Sequence, residues 1–144
     1  MTDLEGLEIA LVEARKAERR GEVPIGAVIV RDGRVISRAH NLRERKQSAL
    51  AHAEVLAVGK ACRKLKSWRL DDCDIYVTLQ PCPMCAGAIL NARIRRLVVG
   101  ALSDRTNDIG VYTDNNLNWK TEVVVLENPE CARMLKDFFA RVRK

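Results

Sequence analysis

Two short motifs, far apart in the chain, constrain its fold more than any other feature. His52-Ala53-Glu54 opens one apolar-patterned stretch, and Pro81-Cys82-Pro83-Met84-Cys85 opens another. Both stretches read as helices with a β-rich run between them. Each helix start follows a loop, so the two can meet at one edge of a sheet. The i, i+3 spacing of Cys82 and Cys85 puts both sulfurs on one helical face. Backbone N–H groups and the positive end of the helix dipole favour thiolates there. A fold that joins the two helix starts gathers one imidazole and two thiols, all metal-ligating groups.

Three protein ligands leave one position of a tetrahedral zinc open for water, as a catalytic site requires. Zinc lowers the pKa of that water from about 16 toward 7. The resulting hydroxide can attack the amino-bearing carbon of an aminated base. Glu54 lies two residues from His52, an awkward spacing for a fourth ligand but a good one beside the water. It is the candidate catalytic residue: it takes the water's proton, protonates a ring nitrogen and delivers a proton to departing ammonia. His-x-Glu followed by Pro-Cys-x-x-Cys is an established signature of zinc-dependent nucleobase deaminases. Cys-x-x-Cys alone also fits a redox pair or half of a structural zinc site. A redox pair asks for no particular His or Glu. A structural site needs a fourth ligand, for which Cys62 or Cys73 could serve. His40, the other histidine, reads as a loop or surface residue near a strand end.

A chain of 144 residues suits one domain with a real core, here residues 1–144. No apolar run approaches the roughly 20 residues of a membrane span, so no membrane is expected. The start, Met-Thr-Asp-Leu-Glu, has neither the basic n-region nor the apolar h-region of a secretory signal. Five cysteines are an odd number without scaffold-like spacing, and two are claimed by the metal. That favours a reducing cytoplasm. Cys62, Cys73 and Cys131 sit in apolar-patterned segments and read as small core residues. A net charge of +6 and a pI near 9.3 are compatible with a polyanionic partner, although solubility alone also accounts for them.

Leu4, Leu7, Leu11 and Ala14 recur at helical spacing, predicting a helix over Asp3 to Arg20. Residues 26–31 and 34–39 read as strands, and Asp32-Gly33 between them is a tight-hairpin signal. Residues 41–49 read as a polar, basic loop and 51–66 as a mostly buried helix. A strand over 75–79, a helix over 82–92 and a strand over 95–100 follow. Residues 102–118 are long for a plain loop, and such loops are often functional. A strand over 122–126 precedes Asn128-Pro129-Glu130, a helix-start signal. Met134, Leu135, Phe138, Phe139 and Val142 then form one apolar stripe. The order αββαβαβα implies an α/β sheet with helices packed on it.

The sequence resembles the bacterial tRNA-specific adenosine deaminase family of the cytidine-deaminase-like superfamily. The likeness runs through Gly21-Glu22-Val23-Pro24-Ile25-Gly26-Ala27-Val28, His40-Asn41, Ala51-His52-Ala53-Glu54 and Trp68-Arg69-Leu70. It continues through Tyr76-Val77-Thr78-Leu79, Pro81 to Ala88, Ala92-Arg93-Ile94 and Phe138-Phe139. The resemblance implies a three-layer fold, with a mixed five-stranded sheet between helices on both faces. It implies one zinc held by His52, Cys82 and Cys85, with Glu54 moving protons. The Asn41 side chain and Ala53 backbone would hydrogen-bond the flipped base, and Pro24, Ile25, Val28 and Pro81 would line its pocket. It further implies a homodimer that converts adenosine to inosine at the wobble position of a tRNA anticodon stem-loop. Arg93, Phe138, Phe139, Arg141, Arg143 and Lys144 are the residues expected to contact RNA, the two Phe also fitting the core stripe.

Three departures from the family pattern concern the substrate. Gln80 stands where Glu usually precedes Pro-Cys, Leu102 to Asn107 replaces a glycine-rich turn, and Asn118-Trp119 replaces an Asn-His pair. The alternative reading is a deaminase of a free nucleobase or nucleoside such as guanine, cytosine or a modified purine. In that enzyme Trp119 and the 102–118 loop would be the lid. A silent RNA-binding module is a third class, against which the complete His-Glu-Cys-Cys set argues.

Overall fold

Thr2 starts the first helix with a reciprocal cap. Its hydroxyl accepts the Glu5 N–H at 3.1 Å while Glu5 reaches back to the Thr2 N–H. The computed structural model describes residues 1–103 and 109–142. Helix α1 spans Asp3–Arg19, and strands β1 (Gly26–Arg31) and β2 (Arg34–His40) form a hairpin. Asp32 and Gly33 both have positive φ, 52° and 74°, as a two-residue turn matched to strand twist demands. Then come α2 (Arg43–Lys46), α3 (Ala53–Leu65), β3 (Asp74–Val77), α4 (Pro83–Asn91) and β4 (Arg96–Val99). A 3-10 turn at Gly110–Tyr112, strand β5 (Glu122–Val125) and helix α5 (Pro129–Val142) complete the order. The expected 41–49 loop thus contains a helical turn, and α3 begins two residues later than its composition suggests.

The sheet order is β2-β1-β3-β4-β5. β1 is antiparallel to both β2 and β3, whereas β3, β4 and β5 are parallel, so the five-stranded sheet is mixed. Period-2 alternation divides its side chains between two faces. Ala27, Ile29, Ile75, Val77, Leu97 and Val99 pack on one side against α3 and α4. Val28, Val30, Tyr76 and Val98 pack on the other against Leu7 and Ala10 of α1. Leu11 and Ala14 of α1 meet Cys131 and Met134 of α5 in a third cluster. This is the expected three-layer architecture. Gly6 and Gly26 let α1 lie close to the sheet: a methyl on Gly26 would overlap the Ala10 carbonyl, and one on Gly6 the Tyr76 ring.

An ionic cluster ties the start of α1 to one end of the sheet. Arg96 reaches Asp3 at 2.7 Å and Asp74 at 3.1 Å, and the Tyr76 hydroxyl donates to Asp3 at 2.9 Å. α3 and α4 begin at the opposite end, beyond the carboxyl ends of the parallel strands, where open α/β sheets place ligands. No described helix is long and apolar enough to cross a membrane.

Candidate active site

His52 and Cys82 are the N-cap residues of α3 and α4, and neither side chain caps its own helix. Both are therefore free to point into the space between the helix starts. Pro83 follows Cys82 at the first helical position, where its missing N–H costs nothing. Cys85 lies one turn on. The His52 Nδ1 is 3.7 Å from the Cys82 sulfur and 3.5 Å from the Cys85 sulfur. All three candidate ligand atoms lie within 4.8 Å of one another. A tetrahedral zinc with ordinary Zn–N and Zn–S bonds has an N···S edge of about 3.6 Å.

The electrostatics favour a cation in that space. Burial pushes the Cys85 thiol well above its usual pKa, and the neighbouring Glu54 carboxyl and Cys82 sulfur push it further. Burial, helped by the Arg43 charge, lowers the pKa of His52 and keeps the imidazole neutral, the form that ligates. The Cys85 thiol, buried beside a carboxyl, is unfavourable as an anion unless a cation sits next to it. The donor set and its spacing fit a metal ion with three protein ligands.

Glu54, the second residue of α3, is 3 % exposed. Burial raises its pKa to about 7, against a smaller lowering from its own backbone and the Cys85 thiol. Its Oε1 has no hydrogen-bond partner among the described residues. Asn41 accepts the Ala53 N–H through Oδ1 at 2.8 Å. It supplies the cap that His52 does not, and its orientation leaves the amide NH2 as a donor. The Asn41 N–H in turn donates to Ile25 O, and Leu42 N–H to Ala51 O. Glu22, 2 % exposed, accepts the N–H groups of Glu44 at 3.1 Å and Arg45 at 2.8 Å. The basic α2 segment is thereby fastened beside His52.

A model of the MafB19-like deaminase family matches residues 1–143. The chain belongs to this deaminase family. It is 48% identical over 141 residues to the tRNA-specific adenosine deaminase of Bacillus subtilis (strain 168), covering 94% of this chain and 87% of that one. It also resembles a solved structure from studies of A-to-I editing by tRNA:A34 deaminases at the wobble position of transfer RNA. That likeness has a TM-score of 0.86 at 42% identity, covering 92% of this deaminase and 99% of the other chain. A guanine deaminase from Bacillus subtilis matches less closely, with a TM-score of 0.69 at 30% identity over 100% of this chain and 96% of that one.

Of the expected site residues of the deaminase, Ala53 adjoins His52 and Pro81 adjoins Cys82 in the chain. Pro24 is buried, Ile25 is half-buried against the α3 and α4 core, and Pro81 is buried just ahead of Cys82. Val28 does not join them. It is fully buried on the α1 face with Leu7, Ala10 and Tyr76, because β1 alternation sends it away from Ala27 and Ile29. Nor is His40 a surface residue. Its Nδ1 lies 3.0 Å from a carboxylate oxygen of Glu13, itself 3 % exposed on α1. Trp119 is not a lid either: its indole donates to Ile94 O at 3.0 Å, ahead of β4 and away from His52. Gln80 is buried and its Oε1 accepts the Ser103 N–H at 3.1 Å, linking the exit of β3 to the segment after β4.

Among the candidate RNA contacts, Arg93 lies past the far end of α4. Phe138 is buried while Phe139 is 41 % exposed, their rings edge to face. Arg141 pairs with Glu18 at 3.3 Å, in the last turn of α1, which leads through Gly21 to Pro24. Arg143, Lys144 and residues 104–108 of the long loop lie outside the described residues. Sequence reasoning missed Tyr112 and Arg43. Tyr112 is 2 % exposed, its hydroxyl has no partner among the described residues, and burial with the nearby Glu54, Cys85 and Cys82 raises its pKa. The only available signal was the length of its loop. Arg43 lay in a stretch read as merely basic, and its effect on His52 is purely spatial.

Proposed function

We propose that this deaminase hydrolyses adenosine to inosine at the wobble position of a tRNA anticodon. Water adds at C6 of adenine, the C6–N bond breaks and ammonia leaves. The observation that carries the reading is the His52, Cys82, Cys85 triangle with the buried Glu54 carboxyl beside it. His52, Cys82 and Cys85 would hold one zinc, which when bound activates water at neutral pH. Glu54 takes a proton from the water, hands one to the ring nitrogen and one to the leaving amine. Its raised pKa suits a group that both accepts and donates near neutrality. The Asn41 amide NH2 holds the base edge. The Ala53 N–H is already given to Asn41 and acts on the base only by orienting that side chain. Pro24, Ile25 and Pro81 wall the pocket.

The exposed Arg43, Arg45 and Lys46 beside His52 favour RNA over a free base, since they suit the phosphates around an extruded nucleotide. Phe139 and Arg141, with Arg143 and Lys144 beyond, would extend that contact from α5. Residues 1–144 act as one domain, in a cytoplasmic homodimer. The exposed Met84 and the open Gly87 on the otherwise apolar α4 support a contact between copies.

The test is deamination of an anticodon stem-loop carrying adenosine at the wobble position, beside free adenosine, guanine and cytosine. Efficient turnover of the RNA with little on the free compounds is expected. Turnover of a free base with the RNA untouched overturns the reading.

A further inference from the structure

A second concentration of chemistry lies at the far ends of α3 and α4, away from the metal ligands. Trp68 is 60 % exposed. The Arg69 guanidinium lies 5.3 Å from its ring centroid and that of Arg93 5.7 Å. Arg63, Lys64, Lys66 and Arg69 around it are all exposed, and residues 63–69 contain no acidic side chain. Hydrogen bonds tie the platform to the ends of α3 and α4. The Ser67 hydroxyl donates to Arg69 O and accepts the Arg69 N–H, and Leu70 N–H donates to Ala92 O at 2.7 Å. Arg93 is fixed by donating to the Leu90 and Asn91 carbonyls. Through Lys64 the basic surface runs into a cleft of about 590 Å³ lined also by Arg31, Arg34 and one acid, Asp32. On the basic surface Asp71 pairs with Arg69 at 3.5 Å and Asp72 with Arg31 at 3.8 Å. Such solvated pairs bind their arginines weakly.

An exposed indole among arginines and lysines, with no acid in its own turn, matches what RNA presents: phosphates for the cations and an aromatic face for stacking. The 13 residues of α3 separate Trp68 from His52, about 20 Å along the helix. The path over the surface is longer, out of reach of the nucleotides that flank an extruded base. We propose that this surface is a second RNA-binding site, which takes the tRNA backbone and an unpaired base outside the anticodon stem-loop. The inference rests on the tRNA reading of the active site.

The test compares wild type, Trp68→Ala and Arg69→Glu on full-length tRNA and on the isolated anticodon stem-loop. Both side chains are exposed, so both variants should fold. KM for tRNA should rise about tenfold, within the range for losing one stacking contact. The kcat, the stem-loop KM, the zinc content and the oligomeric state should not change. An unchanged tRNA KM in both variants overturns the proposal, as does an equal rise on both substrates. A change of oligomeric state in Trp68→Ala also overturns it and makes this face a contact between copies. If the wild type deaminates neither RNA, the active-site reading fails by itself. The inference then stands or falls on direct tRNA binding, where an unchanged affinity of Trp68→Ala sinks it.

Discussion

Asn41 and Ala53, the two residues expected to hold the substrate base, are bonded to each other: the Ala53 N–H donates to the Asn41 side chain at 2.8 Å. The bond crosses from the end of β2 to the first residue of α3. It sets the orientation of the Asn41 amide and the start of the helix that carries Glu54. Asn41→Ala leaves a buried N–H without its acceptor, a loss of about 1–3 kcal/mol. Thermal unfolding should show that loss, and kcat/KM should fall with it because the base loses a donor. Wild-type turnover in a destabilised Asn41→Ala protein would remove the base-holding role.

Metal analysis should find one zinc per chain in the purified deaminase. His52→Ala, Cys82→Ala and Cys85→Ala should each lose the metal, since each removes one corner of the ligand triangle. Two zincs per chain, or retention of metal by any two of these variants, contradicts the assignment.

Glu54→Ala should keep zinc and fold, because Glu54 is beside the ligand set and not part of it. Turnover should fall by roughly 10² to 10⁴, the usual span of general acid–base catalysis. A zinc-loaded variant with full activity would rule out Glu54 as the proton carrier.

The buried Glu13 predicts an acid limit to stability. Burial raises its pKa, but hydrogen bonds from Lys16, His40 and Arg38 outweigh this and hold it at about 2, against 4.5 for an ordinary glutamate. The folded value lies below the unfolded one. Its contribution is therefore complete above about pH 4.5 and is lost as pH falls toward 2. It is at most about 3 kcal/mol, reduced by solvent at the half-exposed Lys16 and Arg38. Urea midpoints followed across pH 2 to 5 should drop more steeply for wild type than for Glu13→Gln. Parallel curves would show that the cluster does not govern acid unfolding.

The two C-terminal phenylalanines should behave differently. Phe138→Ala removes a ring that is 8 % exposed and should cost about 3 kcal/mol of stability. Phe139→Ala, at an exposed position, should leave stability within about 0.5 kcal/mol and weaken RNA binding, which itself should fall with rising salt. Equal stability losses in the two variants, or RNA affinity indifferent to both Phe139→Ala and salt, would take α5 out of the RNA surface.

Local chemistry made much of this protein legible in its sequence. The Asp32-Gly33 turn, the periodic Leu residues of α1 and the Asn128-Pro129 helix start are written within a few residues of the structure they specify. The ligand set was readable for the same reason, because Cys82 and Cys85 share a helical turn and His52 and Glu54 share the start of another. What the sequence could not determine depends on which strands become neighbours and which face each residue takes. The same alternation that buries Val28 sends it to the α1 face, away from the pocket. The pairing of His40 with Glu13 joins β2 to α1, and the bond from Trp119 to Ile94 joins residues 25 positions apart. Tyr112 feels the charge of Glu54, and the Arg93 guanidinium lies over the Trp68 ring, only because chain ends of separate elements converge. Periodicity and turn preference act over a few residues. Burial and charge pairing act through space, so the partners of a buried polar or aromatic group were decided only when the sheet was assembled.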